Sequence, residues 1–319
     1  MKVVLLEPLK VPDERIQALA QPIQALGHEF VYYNQRTTDP KELAQRSAGA
    51  DVVIIGNTPY PTEVIDQIES LKCIDVAFTG VDHIGISQAK NQDIMVLNAA
   101  GYANQAVAEL VIGLTLSLYR QIGSSDQDTR QAEQFPGPFQ GSEIKGKTVG
   151  IVGVGKIGLM TAKLFQAFGA RVIGTSPHPS EEARQLGIAF MPLEELMQQA
   201  DIVSLHTPLI PSTRRLISKE KLALMKKSAI LINCARGPVV DNEALAEALN
   251  TGQIAGAGID VYGMEPPIPS DYPLLYAKRA ILTPHIAYLS NESMELRAQI
   301  AFDNAVAFLN GHPQNVVSR

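Results

Sequence analysis

The sequence predicts an α/β protein made of two doubly wound parallel-sheet domains, and three observations carry that expectation. Short β-branched runs alternate with helical patterns along the chain. Most of these runs are apolar almost throughout, as strands covered on both faces require. The alternation comes in two series, separated by a long apolar helical stretch and a polar segment bearing proline and glycine. A chain of 319 residues with 45% apolar and 19% charged residues is large enough for two separate cores.

Taken in order, the first series comprises "KVVLLE", a helical pattern over residues 12–25, then "EFVYY", "DVVIIG", "CIDVAF" and "IMVLNA". Next comes "GYANQAVAELVIGLTLSLYRQI", with Ala, Val, Leu and Ile at helical spacing and enough length to bridge domains. The stretch "SSDQDTRQAEQFPGPFQGSEIKGK" is expected to be a surface arm or linker. The second series is "TVGIVG", "ARVIGT", "ADIVSLH", "SAILINC", "AGAGIDVY" and "RAILTPH". An amphipathic helix, "NESMELRAQIAFDNAVAFLNG", closes the chain, with Ser290 or Asn291 placed to cap it.

Charge and cysteine content narrow the function classes. Lys plus Arg number 27 against 33 Asp plus Glu, a net charge of −6 with no basic cluster, so neither nucleic acid nor an anionic membrane is an expected partner. "KVVLLE" is too short for the apolar region of a signal peptide, and no stretch approaches about 18 uninterrupted apolar residues. A cytoplasmic protein is expected. Cys73 and Cys234 lack CxxC or Cys/His spacing, so neither a disulfide framework nor a metal site is indicated.

The most informative short stretch is "TVGIVGVGKIGLM", where Gly153, Gly155 and Gly158 form G-x-G-x-x-G between a strand and a helix. The first glycine permits a tight turn, the second lets a pyrophosphate approach the backbone, and the third lets helix and sheet pack. Unpaired N–H groups at the helix start, around Lys156 and Ile157, then face the anion. A dinucleotide site follows. The acidic residue that would bond the adenosine ribose of NAD is expected about 20 residues on, but position 176 is serine, with His178 nearby and no arginine beside it. NAD and NADP therefore both remain open.

Hydride exchange with a keto acid needs a cation for the carboxylate and carbonyl, and a proton donor beside the developing alkoxide; histidine suits the second task. Of the six histidines, His28 and His312 sit in glycine-containing turns at helix ends. His206 and His285 each follow a strand of the second series, at the edge where such folds bind ligands. Position favours His285, after "ILTP", over His206, whose loop "TPLIPST" suits a cofactor lining, and both stay in play. Arg236, directly after "AILINCA", offers a planar fork for a carboxylate at the same edge. Glu265, five residues past Asp260, is placed to hydrogen-bond the histidine and raise its pKa, or else is an exposed loop charge. Cys234 reads as a small buried hydrophobe.

Six ordered motifs, "TGVDHIG", "NQAVAELVIGLTL", "GKTVGIVGVGKIG", "LINCARGPVVDNEALAEAL", "GAGIDVYGMEPP" and "ILTPHIAYLS", resemble the D-isomer-specific 2-hydroxyacid dehydrogenases over nearly the whole chain. The resemblance implies a Rossmann cofactor domain, residues 100–287, inserted in a flavodoxin-like substrate domain of residues 1–99 plus 288–319, with a cleft between. It assigns Arg236 to the substrate carboxylate and keto oxygen, His285 to acid/base work and Glu265 as its partner. Asp260 falls near the nicotinamide carboxamide, Thr207 and Pro208 line the cofactor, and backbone N–H groups at Thr79 and Gly80 bind the substrate carboxylate. Asp82 and His83 support that loop.

Departures bear on the substrate. Asn57 and Thr58 stand where relatives acting on 3-phosphoglycerate usually carry an arginine, which points to a small, non-phosphorylated 2-keto acid and its D-2-hydroxy acid. Tyr60 and Tyr102 either border its side-chain pocket or pack in the core. The arm that helps such proteins dimerise lacks its usual tryptophan, and Phe135 and Phe139 stand nearby; a homodimer is expected. Glutamate at 265, where glutamine is needed, argues against formate dehydrogenase. The alternative from another class is an NAD(H)-sensing interaction protein of the corepressor kind.

Overall fold

The computed structural model describes residues 1–131, 139–265 and 267–318. The chain divides into two compact units, Met1–Ala103 with Leu289–Arg319, and Asn104–Tyr288. The edges expected from sequence lay after residues 99 and 287.

Strands of the first unit are β1 (Lys2–Leu5), β2 (Glu29–Tyr32), β3 (Val52–Ile55), β4 (Cys73–Val76) and β5 (Met95–Asn98). They lie parallel in the order β5-β4-β3-β1-β2, with Val4 opposite both Val31 and Val53. Strand order reverses beside β1, so the carboxyl ends of β1 and β3 flank the switch point where such sheets bind ligands. Every residue of β3 and β4 is buried, Asp75 of β4 included, as expected of strands covered on both faces. The helices Asp13–Ala25 and Asn291–Leu309 pack together and fill a core with Ile16, Ile23, Leu5, Ile54 and Phe302. Of the two candidate caps, Ser290 caps the last helix, its side chain accepting from the Ser293 N–H at 3.1 Å.

The second unit contains β6 (Thr148–Val152), β7 (Arg171–Thr175), β8 (Ala189–Phe190), β9 (Ile202–Leu205), β10 (Ile230–Asn233), β11 (Gly256–Ile259) and β12 (Ala280–Leu282). All are parallel, in the order β12-β11-β10-β9-β6-β7-β8. Here the reversal lies between β6 and β9, and the glycine loop leaves β6 at that point. The two predicted parallel sheets are thus present.

Three features differ from the sequence reading. A strand β13 (Val316–Ser318) pairs antiparallel with β5 at an edge, and β8 spans two residues; both are too short to show a period. The start of the expected arm is helical, Ile122–Gln131. There Arg130 pairs with Asp126 at 2.9 Å, an i,i+4 ion pair that supports a helix with no buried face. Phe139 follows in irregular chain, and Phe135 lies outside the described residues. No helix among the described residues is long and apolar enough to cross a membrane.

Candidate active site

The glycine loop can be read atom by atom. Gly153 has φ +92°, and a methyl group on it would come within 2.8 Å of the His206 carbonyl oxygen; both backbone freedom and space demand glycine. A methyl on Gly158 would lie 2.3 Å from the Gly153 carbonyl oxygen, so this position is closed by packing. Gly155 is different, because a methyl there meets no atom within 4 Å. The protein needs no glycine at 155 for its own packing. Open space over that backbone, at the start of the helix Lys156–Ala167 with its unpaired N–H groups at Lys156 and Ile157, fits a dinucleotide pyrophosphate.

A second sign of a missing partner lies across the switch point. The buried Thr207 hydroxyl has no hydrogen-bond partner among the described residues, while the Pro208 carbonyl accepts from the Thr213 hydroxyl at 2.6 Å and is held in place. Ser176 follows β7 and is half-buried. The chain's residues therefore fit a nicotinamide dinucleotide, with Gly153 to Gly158, Ser176, Thr207 and Pro208 to hold it.

His285 follows β12, with φ 56° in the left-handed region that non-glycine residues seldom occupy. Such strain costs of order 1–3 kcal/mol and persists only where the surroundings impose it. They do so here: the His285 N–H donates to the carbonyls of Asp260 at 2.9 Å and Thr283 at 3.0 Å. The fully buried Asp260 carboxylate accepts from the N–H groups of Ile286 and Ala287, both at 2.8 Å, and from the Thr283 hydroxyl at 2.6 Å. Burial pushes the Asp260 carboxyl above the usual carboxylate range, against the pull of these three donors. Asp260 thus clamps the turn that carries His285.

The turned-out imidazole donates through Nδ1–H to Glu265, whose Oε2 and Oε1 lie at 2.8 and 3.0 Å. Glu265 is 68% exposed, so the contact matters more as an orienting hydrogen bond than as a source of stability. It favours the tautomer that carries a proton on Nδ1. Tyr288 meets the imidazole edge-on at 5.3 Å.

Arg236 follows β10. The buried Asn233 amide donates to the Arg236 carbonyl and accepts from the Ala235 N–H, both at 3.0 Å, which shapes the turn. At Gly237 an added methyl would fall 1.8 Å from the Tyr262 carbonyl oxygen. Only glycine lets the Arg236 turn close against the segment that leads from Asp260 to Glu265. Three strand ends, after β10, β11 and β12, therefore deliver Arg236, Glu265 and His285 to the same sheet edge: a guanidinium able to polarise a carbonyl and an oriented imidazole able to move a proton.

His206, the other candidate, is excluded as a charged donor. Burial pushes its imidazole down to about 3, and Nε2 lies 2.8 Å from the Ser204 hydroxyl. It stays neutral at working pH.

In the first unit the expected turn follows β4. The N–H groups of Thr79, Gly80 and Val81 find no acceptor among the described residues, the arrangement that welcomes a carboxylate. The Asn98 amide donates to the Thr79 carbonyl at 2.8 Å, and His83 Nε2–H donates to the Gly56 carbonyl at 2.9 Å. Asn57 sits half-buried in the turn after β3. Tyr60 is fully buried and donates to Ser47 at 2.9 Å, a core residue. Tyr102 is 4% exposed, its ring 5.9 Å from Phe78, behind the turn.

The residues that sequence reasoning missed are structural partners. The clamp by Asp260, the contribution of Thr283 and the turn set by Asn233 have no signature of their own. The one available signal was that Asp260 and Asn233 are polar residues at the ends of otherwise apolar strands.

A family profile described as the D-isomer specific 2-hydroxyacid dehydrogenase NAD-binding domain matches residues 112–287. A hydroxypyruvate reductase of Blautia hydrogenotrophica is 35% identical, covering 93% of this chain and 94% of the relative. A glycerate dehydrogenase of Methylorubrum extorquens is 38% identical, covering 91% and 92%. Among solved structures, an acyclic imino acid reductase in complex with NADPH and D-Arg superposes with a TM-score of 0.89 at 30% identity, covering 99% of this chain and 100% of that one.

Proposed function

The chain belongs to the D-isomer-specific 2-hydroxyacid dehydrogenases, NAD(P)-dependent oxidoreductases of 2-keto acids, and from that premise we propose what each of its residues does. The substrate is a small, non-phosphorylated 2-keto acid of the hydroxypyruvate and glyoxylate kind, reduced to the D-2-hydroxy acid. NAD(P)H, when bound, would supply the hydride that the carbonyl carbon takes up. His285 gives a proton from Nε2 to the carbonyl oxygen, and Glu265 holds the ring so that this nitrogen faces it. Arg236 stabilises the negative charge that builds on that oxygen and steadies the carboxylate. Backbone N–H groups at Thr79 and Gly80 take the carboxylate, Asn57 borders the rest of the substrate, and Tyr102 braces the turn through Phe78. Asp260 contributes by holding the His285 turn, and its neighbourhood to the nicotinamide carboxamide belongs to the same proposal. Gly153, Gly155, Lys156, Ile157, Gly158, Ser176, Thr207 and Pro208 hold the cofactor, with NAD and NADP both admitted.

The observation that carries the reading is the His285–Glu265 pair at 2.8 Å, on a turn held in strained geometry. None of the relatives described above is a nicotinamide-sensing interaction protein. Two further points complete the proposal. A homodimer is favoured by the helix Ile122–Gln131, which buries none of its residues, and by the hollow of about 590 Å³ beside it, lined by Leu118, Tyr119, Gln127, Arg279 and Ile281. Action in the cytoplasm accords with its two free, buried cysteines.

A screen of NADH and NADPH against glyoxylate, hydroxypyruvate and pyruvate tests the function. Turnover of at least one keto acid, with the D-product by chiral chromatography, is expected. Tight cofactor binding without turnover of any keto acid overturns the reading in favour of a sensor.

A further inference from the structure

Where the turn after β3 lacks an arginine of its own, the fold brings one from another strand. Arg36, in the loop after β2, folds back so that its Nε–H donates to the Thr58 hydroxyl at 2.8 Å and Nη2 reaches the Asn57 carbonyl at 3.5 Å. Beneath it lies Glu7, from the end of β1, with its side chain only 5% exposed. Oε1 of Glu7 accepts from the N–H groups of Gly56 at 2.8 Å and Thr58 at 3.1 Å, and Oε2 stands 3.6 Å from Arg36 Nε. Three neighbouring strand ends thus cooperate to fix one guanidinium at the switch point of the first sheet.

Burying a carboxylate is costly unless each oxygen is matched, and a turn needs no such device merely to reverse the chain. The consequence of Glu7 is an arginine held in one place. That arginine is half exposed, and its Nη1 has no partner among the described residues; nor has the Asn57 side-chain amide. Asn57 sits on the turn after β3 and Arg36 is hydrogen-bonded to that turn, while the unpartnered N–H groups of Thr79 to Val81 sit on the turn after β4. Adjacent strands lie about 5 Å apart, which matches the separation of the two carboxylates in a short dicarboxylic acid.

We propose that Arg36 and Asn57 form a subsite for a second, distal carboxylate, and that the preferred substrates are short 2-keto dicarboxylates. The proposal rests on the 2-keto acid reductase reading, with the first carboxylate at Thr79 and Gly80. A single guanidinium whose Nε edge is already shared with Glu7 has one free edge, enough for one carboxylate oxygen pair. A phosphate, with a charge of about −1.5 to −2, would face a single, partly neutralised cation. The subsite therefore selects against phosphorylated keto acids as well as apolar ones.

The test compares oxaloacetate, 2-oxobutyrate, glyoxylate and 3-phosphohydroxypyruvate as substrates of the full chain with NADH or NADPH. Oxaloacetate and 2-oxobutyrate have the same carbon count and differ in the distal carboxylate; glyoxylate has no distal group and serves as reference. The native protein is expected to favour oxaloacetate over 2-oxobutyrate at least tenfold in kcat/KM, with the difference in KM. Arg36→Met should lower the oxaloacetate-to-glyoxylate ratio at least tenfold, and Arg36→Lys, which keeps the charge but loses the fork, should fall between. Arg36→Lys also guards against a folding defect, since it leaves a cation over Glu7. If glyoxylate is reduced but oxaloacetate has no advantage, if the advantage survives Arg36→Met, or if 3-phosphohydroxypyruvate is the better substrate, the subsite is wrong while the reductase reading stands. If no keto acid is turned over, both fall.

Discussion

Substitutions at Arg236 and Ser176 test the proposed division between chemistry and cofactor binding. Arg236→Ala removes the donor proposed to stabilise developing negative charge, an expected loss of about 3 kcal/mol by comparison with other preorganised oxyanion donors. Turnover should drop by a factor on the order of 10²–10³ while the fluorescence-monitored affinity for NADH changes little. Survival of turnover within about tenfold, some 1.4 kcal/mol, would remove Arg236 from the proposed role. Ser176 marks the other choice. An aspartate in its place would accept from both ribose hydroxyls and repel a 2′-phosphate, so Ser176→Asp should raise the NADH-to-NADPH ratio of kcat/KM by about tenfold or more. An unchanged ratio would show that the ribose does not lie beside residue 176. His206 illustrates the limit of reading residues singly: strand position admits it, while desolvation of its imidazole, which lowers its pKa to about 3, argues against a charged donor there.

At the scale of elements, the glycine fingerprint resolves into residues of different purpose. Gly158 exists for packing, and Gly158→Ala should destabilise the protein by about 1–3 kcal/mol, because its methyl would press on the Gly153 carbonyl. Gly155→Ala meets open space, so it should leave thermal unfolding almost unmoved and weaken cofactor binding at least tenfold in a titration. Full cofactor affinity in Gly155→Ala would mean that the pyrophosphate does not approach there. Strands and the fingerprint were legible in the sequence because each depends on local pattern: unbroken apolar runs, glycine spacing, a turn before a helix. The two-residue β8, the edge strand β13 and the helix Ile122–Gln131 were not, since the first two are too short for a period and the third lacks an apolar face. The same contrast governs the site. Arg236, Glu265 and His285 could be nominated because each follows a recognisable strand. Asp260 as the clamp of the His285 turn and Glu7 as the base of Arg36 were hidden, because their partners lie on other strands and the sequence carries no record of which strands are neighbours.

On the scale of the whole molecule, the chain leaves its first unit at residue 103 and returns to it at 289, so that unit depends on a segment made last joining strands made first. One buried network marks the junction. Asn304, in the returning helix, donates to Asp75 Oδ1 of β4 at 3.1 Å and to the Asn98 carbonyl at 3.0 Å, and accepts from the Asn315 amide at 2.8 Å. Asp75 is fully buried, its Oδ2 has no hydrogen-bond partner among the described residues, and burial pushes its carboxyl up to about 8. In the unfolded chain an aspartate titrates near 3.9, so the folded form holds its proton more tightly. The resulting stabilisation is fully present below about pH 4 and is lost as pH rises through 8. Asp75→Asn supplies a neutral side chain of the same shape and ends that dependence. Its stability relative to the native protein should therefore rise by about 3 kcal/mol between pH 5.5 and 8, given about 1.4 kcal/mol per unit, when both are unfolded in urea. A difference that stays constant across that range would show that Asp75 is charged in the fold, and that the joint between the two ends of the chain is held by an ionised carboxylate instead of a neutral one.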